Sequence, residues 1–250
     1  MTEDISKTQI DLLGERLRNS TPADADLRML DDYRRSFGIA YEFVVQTIRH
    51  NLSLEPTGRP AKSTGAVMEK LHRETIRLSQ VQDIAGCRIV VEGPVEQERV
   101  VEALRAAFAK ASVVDRRASP SYGYRAVHVI VDVSGRLVEV QVRTVLQHTW
   151  AEISEKLSDV LDPAIKYGGG PDQVKGALAN GSTAVGLFET VERAVDIAPA
   201  KTHASQEVVA EEARQALSDA RMRLVDIKRQ LDEALRKSVS PWVEGQRLGQ

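Results

Sequence analysis

The stretch that most restricts how this chain can fold is residues 124–144, YRAVHVIVDVSGRLVEVQVRT. Valines alternate along it, at Val127, Val129, Val131 and Val133, then at Val138, Val140 and Val142. A period of two is the signature of half-buried strands. Ser134-Gly135 between the two runs reads as a two-residue hairpin turn. If that turn sets the register, Val131 faces Val138, Val129 faces Val140 and Val127 faces Val142, with the valines sharing one face. The opposite face then carries His128 across from Gln141, with Glu139 and Arg143 beside them. Neighbouring strands lie only ~5 Å apart, so these polar groups form one cluster. Such a face is either the solvated side of an edge sheet or a site. Solvated faces usually carry Lys, Thr and Ser, whereas a carboxylate, an amide, a guanidinium and an imidazole together point to a site.

Composition sets the outer limits. At 250 residues the chain has room for one good-sized domain and an appendage. A net charge of -2 argues against a mainly electrostatic nucleic-acid binder, leaving room only for a local basic groove. Aromatic residues make up 4%, too few for a surface that stacks several bases. One cysteine, Cys87, excludes an internal disulfide framework and a Cys-rich zinc site. It lies in an apolar run and reads as a buried small side chain. The opening MTEDISKTQ lacks the basic-then-apolar shape of a signal peptide, and no apolar run approaches the ~20 residues a membrane span needs. A soluble cytoplasmic protein is expected.

Along the chain, residues 5–18 fit a short amphipathic helix. Ser20-Thr21-Pro22 is a helix-start signal, with Thr21 as cap. A long helix is expected from there to about Asn51, with Leu30, Tyr33, Phe37, Tyr41 and Val44 at helical spacing. Pro56-Thr57-Gly58 breaks it, residues 59–63 (RPAKS) are loop-like, and 64–79 resume helical spacing through Val67, Leu71 and Ile76. Cys87–Val91 suits a central strand, Pro94 begins a helix, and Val113-Val114 marks another strand. After Thr144 a helix places Leu146, Trp150, Ile153 and Leu157 on one stripe. The glycine-rich loop 167–171 closes the core, and the remainder reads as helical. Leu217, Leu224 and Leu231 recur every seven residues, with Ala220, Ile227 and Ala234 between them. That seam packs either on the chain's own helices or on a second copy. The order of elements implies an α/β or α+β core with a mixed β-sheet flanked by helices, with helical N- and C-terminal extensions.

Three clusters carry chemistry. Arg59, Lys62, Lys70, Arg73 and Arg77 are cations in and after a loop that enters a helix, with Lys70, Arg73 and Arg77 expected on one helical face. Such a group suits a polyphosphate, or is simply a solvated basic face. No P-loop sequence occurs. Asp83 precedes the strand that holds Arg88. A carboxylate there can hold Mg²⁺ or cap a turn, and an arginine inside an apolar run needs a partner. The third cluster is the hairpin face, with Glu139 as metal ligand or base, His128 and Gln141 as hydrogen-bonding groups, and Tyr122 and Tyr124 as rings for a nucleobase. A hydroxyl attacking a phosphoryl group needs a metal clamp, cations on the polyphosphate and a carboxylate near the attacking oxygen. His148 and Glu152 lie one turn apart and, with no third ligand apparent, read as a hydrogen-bonded or solvated pair.

Four segments in this order resemble the synthetase domain of the RelA/SpoT family: RPAKSTGAVMEKLHR at 59–73, DIAGCRIVV at 83–91, GYRAVH at 123–128, and EVQVRT followed by HTWAE at 139–152. The resemblance covers roughly residues 40–165. It implies a nucleotidyltransferase-like fold in a domain spanning 23–170, between an N-terminal extension (1–22) and a C-terminal helical region (171–250). It implies transfer of pyrophosphate from ATP to the 3′-hydroxyl of GDP or GTP, with Mg²⁺ as cofactor. By motif position, Arg59 and Arg88 would sandwich adenine, and Lys62 and Lys70 would hold the ATP phosphates. Asp83 would bind Mg²⁺, and Glu139 would bind metal or activate the hydroxyl. Tyr124 would stack on the acceptor guanine, His128 would contact the acceptor, and Gln141 and Arg143 would support that site. Many members have Ser where this chain has Ala66, so a phosphate contact would fall to Ser63, Thr64 or backbone amides. Many also have Ser where Ala126 stands. No His-Asp pair, the mark of the family's hydrolase domain, occurs in the sequence, so a chain that makes but does not degrade alarmone is expected. A toxic relative using an adenosine nucleotide or the 3′ end of tRNA as acceptor, and a non-catalytic nucleotide sensor, are the alternatives. A homo-oligomer through the C-terminal helices, no membrane contact and, the tRNA alternative apart, no nucleic-acid partner complete the expectations.

Overall fold

The computed structural model describes residues 5–19 and 21–197, together with 208–209, 211–216, 218–219, 222–223, 226 and 229. The seam residues Leu217, Ala220, Leu224, Ile227, Leu231 and Ala234 lie outside the described residues. Among those described, no helix is long and apolar enough to cross a membrane.

Helix α1 (Lys7–Asn19) buries Ile10, Leu13 and Leu17, the spacing of one helical face. The expected long second helix is two: α2 (Asp24–Arg35) and α3 (Gly38–Thr47), the latter running into a π-helical turn, Ile48–Leu52. The break falls at Ser36-Phe37, where the Ser36 hydroxyl donates to the Tyr33 carbonyl at 2.6 Å and competes with the helical ladder. The apolar stripe survives it, since Leu30, Tyr33, Phe37 and Val44 are all buried. The cap is Ala23 rather than Thr21, because Asp26 three residues on accepts the Ala23 N–H at 3.4 Å.

Two further expectations are corrected. Thr57–Arg59, within the segment read as helix breaker and loop, is strand β1. A Cβ at Gly58 would lie 2.4 Å from the Gly86 carbonyl oxygen, so only glycine lets this strand pair with its neighbour. Helix α4 (Thr64–Arg73) ends six residues before position 79. Arg18 from α1 donates to the Leu71 carbonyl at 2.8 Å and the Glu74 carbonyl at 3.3 Å, and also to that of Ile76. These bonds satisfy the carbonyls at the helix C-terminus and fix where it stops. Arg77 therefore does not share a helical face with Lys70 and Arg73, and Leu78 rather than Ile76 is the fully buried anchor.

The sheet has five strands in the order β1-β2-β5-β4-β3, with β2 at Ala85–Val91, β3 at Ala111–Asp115, β4 at Val127–Val133 and β5 at Arg136–Thr144. Helix α5 (Pro94–Ala107) connects β2 to β3 at the far edge. The hairpin register is the one read from the sequence: Val131 pairs with Val138, Val129 with Val140, Val127 with Val142 and His128 with Gln141. Ser134 and Gly135 both have positive φ, 51° and 80°, the geometry of the tight hairpin turn that matches strand twist.

The chain divides into two units. The first comprises Met1–Ile89, Arg99–Val114 and Val127–Val142. The second comprises Val90–Glu98, Asp115–Ala126 and Arg143–Gln250. In the second, α6 (Val145–Val160) starts with a reciprocal cap, since Thr144 Oγ1 accepts the Gln147 N–H at 3.0 Å and the Gln147 side chain accepts the Thr144 N–H at 3.4 Å. Helix α7 (Asp172–Asp196) packs against α6. A Cβ at Gly181 would come within 2.1 Å of the Trp150 indole, so this helical glycine makes room for the ring between the two helices.

Candidate active site

The first unit gathers most of the residues singled out above. On the β1/β2 ribbon Arg59 pairs with Gly86 and Thr57 with Arg88. Residues two apart on a strand share a face, so Arg59 and Arg88 are diagonal neighbours on one side of the ribbon, roughly 7–8 Å apart at the backbone. Two guanidinium planes at that spacing leave room for one flat ring between them. A Cβ at Gly86 would lie 3.6 Å from Glu139 Cβ, which puts Glu139 on the same side of the sheet.

Lys62 and Lys70 converge on Asp83. Lys62 Nζ lies 2.7 Å from Asp83 Oδ2 and Lys70 Nζ 2.8 Å from Asp83 Oδ1. Local backbone explains the convergence. The Lys62 N–H donates to the Ile84 carbonyl at 2.6 Å, which ties the loop to the start of β2, and Ser63 caps α4 by accepting the Ala66 N–H at 3.3 Å. Arg34, which the sequence reading passed over, donates to the Lys62 carbonyl and, at 2.8 Å, to the Thr64 hydroxyl. It holds the loop that carries Lys62. Nothing in the periodicity of α2 distinguishes it from the charged residues around it. Burial pushes the Asp83 carboxyl up, but the ammonium groups of Lys70 and Lys62 outweigh it and hold its pKa at about 2.

Glu139 is 9% exposed. Its Oε1 lies 2.9 Å from His128 Nδ1, and its Oε2 accepts from the Gln141 amide at 2.7 Å. Burial pushes this carboxyl up too, yet the bond and charge of His128 and the bond from Gln141 pull it below the ordinary glutamate range, against an opposing push from the nearby Asp83 charge. The polar hairpin face is therefore a buried hydrogen-bonded group with an ionised carboxylate at its centre. It is not a solvated edge. Cys87, beneath it in β2, is buried, and its thiol is pushed up to about 12 by burial and by the Glu139 charge.

These residues fit a magnesium ion. Mg²⁺ commonly takes one or two carboxylates and completes its shell with water and substrate phosphates. Asp83 and Glu139 are both held ionised and are close enough to feel each other's charge. Among the described residues no group of three His, Cys, Asp or Glu side chains assembles.

Tyr124 and Arg143 belong to the second unit. Arg143 is 3% exposed, donates to the Tyr124 hydroxyl at 3.0 Å, and lies with its guanidinium carbon 4.9 Å from the ring centroid. Tyr124 also lines a cavity of about 270 Å³ with Ala151, Ser154 and Glu155. The pairing of His148 with Glu152 is present at 3.8 Å on α6.

Solved structures share this architecture. The small alarmone synthetase 1 of Bacillus subtilis, bound to its product pppGpp, aligns with a TM-score of 0.55 at 25% identity, over 68% of this chain and 96% of that one. A GTP pyrophosphokinase family protein of Streptococcus pneumoniae, at 23% identity and a TM-score of 0.50, matches in fold over 77% of this chain and 98% of its own. The fold is thus that of the small alarmone synthetase structures. Among sequences, the model described as the region found in RelA/SpoT proteins matches residues 58–158. The GTP pyrophosphokinase YjbM of Bacillus subtilis is 35% identical over 149 residues, covering 53% of this chain and 67% of that protein. The chain belongs to the RelA/SpoT family. An uncharacterized protein of Mycobacterium tuberculosis is 37% identical over 118 residues, but the match spans only 43% of that relative's length and 46% of this chain.

Proposed function

We propose that this protein transfers the pyrophosphate group of ATP to the ribose 3′-hydroxyl of GDP or GTP and so makes (p)ppGpp alarmone. The observation that carries the reading is Glu139: a carboxylate nine-tenths buried and still held ionised, beside a second ionised carboxylate that two lysines grip. A binding module has no need of such a pair, whereas a hydroxyl attacking a phosphoryl group does.

In this reading Arg59 and Arg88 take the adenine between their guanidinium planes. Lys62 and Lys70, now occupied by Asp83, turn to the triphosphate when it arrives, with Ser63 and the backbone amides at the start of α4 supporting it. Asp83 and Glu139 would hold a magnesium ion, which would supply charge to neutralise the polyphosphate. Tyr124, steadied by Arg143, stacks on the acceptor base. His128 and Gln141 orient Glu139, whose carboxylate accepts the proton of the 3′-hydroxyl as its oxygen attacks the β-phosphorus of ATP. The bond from that phosphorus to the bridging oxygen breaks, and AMP leaves with it. Self-association through the helices after Gly170 belongs to the same reading, supported by the exposed Leu187 and Val191 on α7 and by the leucine repeat beyond it.

The deciding experiment supplies labelled ATP with GDP, GTP, AMP, ATP or tRNA, each separately, and resolves the products. Label passing to GDP or GTP is expected. Transfer only to an adenosine nucleotide or to tRNA would replace the acceptor, and binding without transfer to any of them would make the protein a sensor.

A further inference from the structure

The buried stripe of α7 changes character along its length. Leu178, Ser182, Val185, Glu189 and Glu192 follow one another at the spacing of one helical face, and all are buried. Packing a helix calls for apolar residues at such positions, and Leu178 and Val185 supply them. Glu189, 6% exposed, is of another kind. A carboxylate at that depth costs free energy unless it is bonded, and an apolar side chain in its place would pack as well or better. Glu189 therefore has a use beyond holding α7 in place. Its two oxygens go to the turn that ends β5 and starts α6. Oε1 accepts the Thr144 hydroxyl at 2.5 Å, and Oε2 accepts from Gln147 Nε2 at 3.0 Å. Thr144 and Gln147 are the two partners of the reciprocal cap of α6, and both are buried. Gln147 Oε1 in turn accepts from Gln97 Nε2 at 2.8 Å, and Gln97 Oε1 accepts from Arg117 at 3.1 Å.

A threonine hydroxyl has one proton to donate. Because that proton goes to Glu189, the lone pairs of the oxygen face the Gln147 N–H, and the geometry of the cap is set. The carboxylate also stands at the start of α6, where the positive end of the helix dipole favours negative charge. The residue before Thr144 is Arg143. Successive residues of a strand point to opposite sides, so a turn that aims Thr144 at α7 aims Arg143 away from it. On that other side Arg143 donates to the Tyr124 hydroxyl at 3.0 Å and lies over the ring, 4.9 Å from its centroid. We propose that Glu189 is a positioning residue for the acceptor nucleotide: through the Thr144–Gln147 cap it sets the direction of Arg143 and so the plane of the Tyr124 ring. The inference rests on the reading of Tyr124 as the ring that stacks on the acceptor base. A residue of the C-terminal helical region thereby shapes the acceptor site.

The test reads the ring and the kinetics separately. The full chain has five tyrosines, so incorporation of 3-fluorotyrosine gives a fluorine spectrum simple enough for Tyr124→Phe to identify the Tyr124 resonance. Glu189→Ala should move that resonance while those of Tyr33 and Tyr41 hold. Glu189→Gln, which keeps an oxygen for the Thr144 proton, should largely restore it. In transfer assays Glu189→Ala should raise the acceptor KM about tenfold and change the ATP KM by less than about twofold. Thr144→Val should copy the effect, and it carries the same comparison if Glu189→Ala does not fold. In a Tyr124→Ala background Glu189→Ala should add nothing to the acceptor KM, because the ring it positions is gone. An unmoved Tyr124 resonance would overturn the proposal. So would equal rises in both KM values, or full additivity with Tyr124→Ala, either of which would leave Glu189 a structural residue. A wild type that transfers nothing to GDP or GTP would instead sink the reading beneath it, and the fluorine spectra, which need no turnover, would still decide whether Glu189 sets the ring.

Discussion

Asp83 lies between two ammonium groups at 2.7 and 2.8 Å, and that arrangement fixes how the protein should respond to acid. Its pKa is lowered from 3.8 to about 2 on folding. A depressed carboxylate pKa contributes stability above the unfolded value, and that stability is lost as pH falls from about 4 to about 2. Each unit is worth about 1.4 kcal/mol, so Asp83 contributes on the order of 2 kcal/mol at neutral pH. Urea unfolding of Asp83→Asn should show that loss at pH 7 and a flatter acid limb than the wild type. Turnover should also be lost, with partial rescue at high Mg²⁺. Full activity in this variant would remove Asp83 from the metal. For Glu139→Gln the expectation differs, because the amide still fits between His128 and Gln141. The far-ultraviolet circular dichroism should be unchanged while the rate falls roughly 10³-fold or more, as expected for losing a metal-binding or proton-accepting carboxylate. Near-wild-type turnover in the purified variant would refute the role. Tyr124→Ala should raise the acceptor KM well above any effect on the ATP KM, since base stacking on a ring is worth about 1–3 kcal/mol. The reverse pattern would mean the two nucleotide sites are exchanged.

Among the elements, two glycines in strand contexts have different reasons for being there, and the difference can be measured. At Gly135 nothing stands within 4 Å of where a Cβ would be, so the whole constraint is its φ of 80°. Gly135→Ala should cost about 1–2 kcal/mol of stability and leave the kinetics alone. At Gly58 the obstacle is the backbone of β2, with Cys87 Cα 2.5 Å from the missing Cβ. Gly58→Ala should push β1 off the sheet edge and take Arg59 away from Arg88. The ATP KM should rise while the acceptor KM holds. Equal kinetic effects from the two substitutions would show that β1 does not carry an ATP-binding residue. The helix boundaries have a similar lesson. The periodicity in 64–79 continues past Arg73, and what stops α4 is a guanidinium from more than 50 positions earlier in the chain, Arg18. No local pattern contains that information.

For the whole molecule, the leucine repeat at Leu217, Leu224 and Leu231 carries the self-association prediction. If it joins copies of the chain, changing Leu224 and Leu231 to Asp should give a folded monomer by light scattering. If it packs internally, the same change should unfold or aggregate the protein, because a buried carboxylate would lack a partner. A wild type that runs as a monomer at micromolar concentration would end the oligomer reading. The sequence alone determined the β4–β5 hairpin completely, down to its register, because strand period and turn chemistry are properties of consecutive residues. It also determined the motif residues Arg59, Lys62, Lys70, Asp83, Arg88 and Glu139, whose types and order carry the family likeness. Only the tertiary structure decided that Lys62 and Lys70 both close on Asp83, that Arg34 holds their loop, that Thr57–Arg59 is a strand, and that Glu189 on α7 reaches the cap of α6. Each of these depends on contacts between residues distant in sequence, and their free energy comes from burial and pairing that no window of neighbouring residues contains.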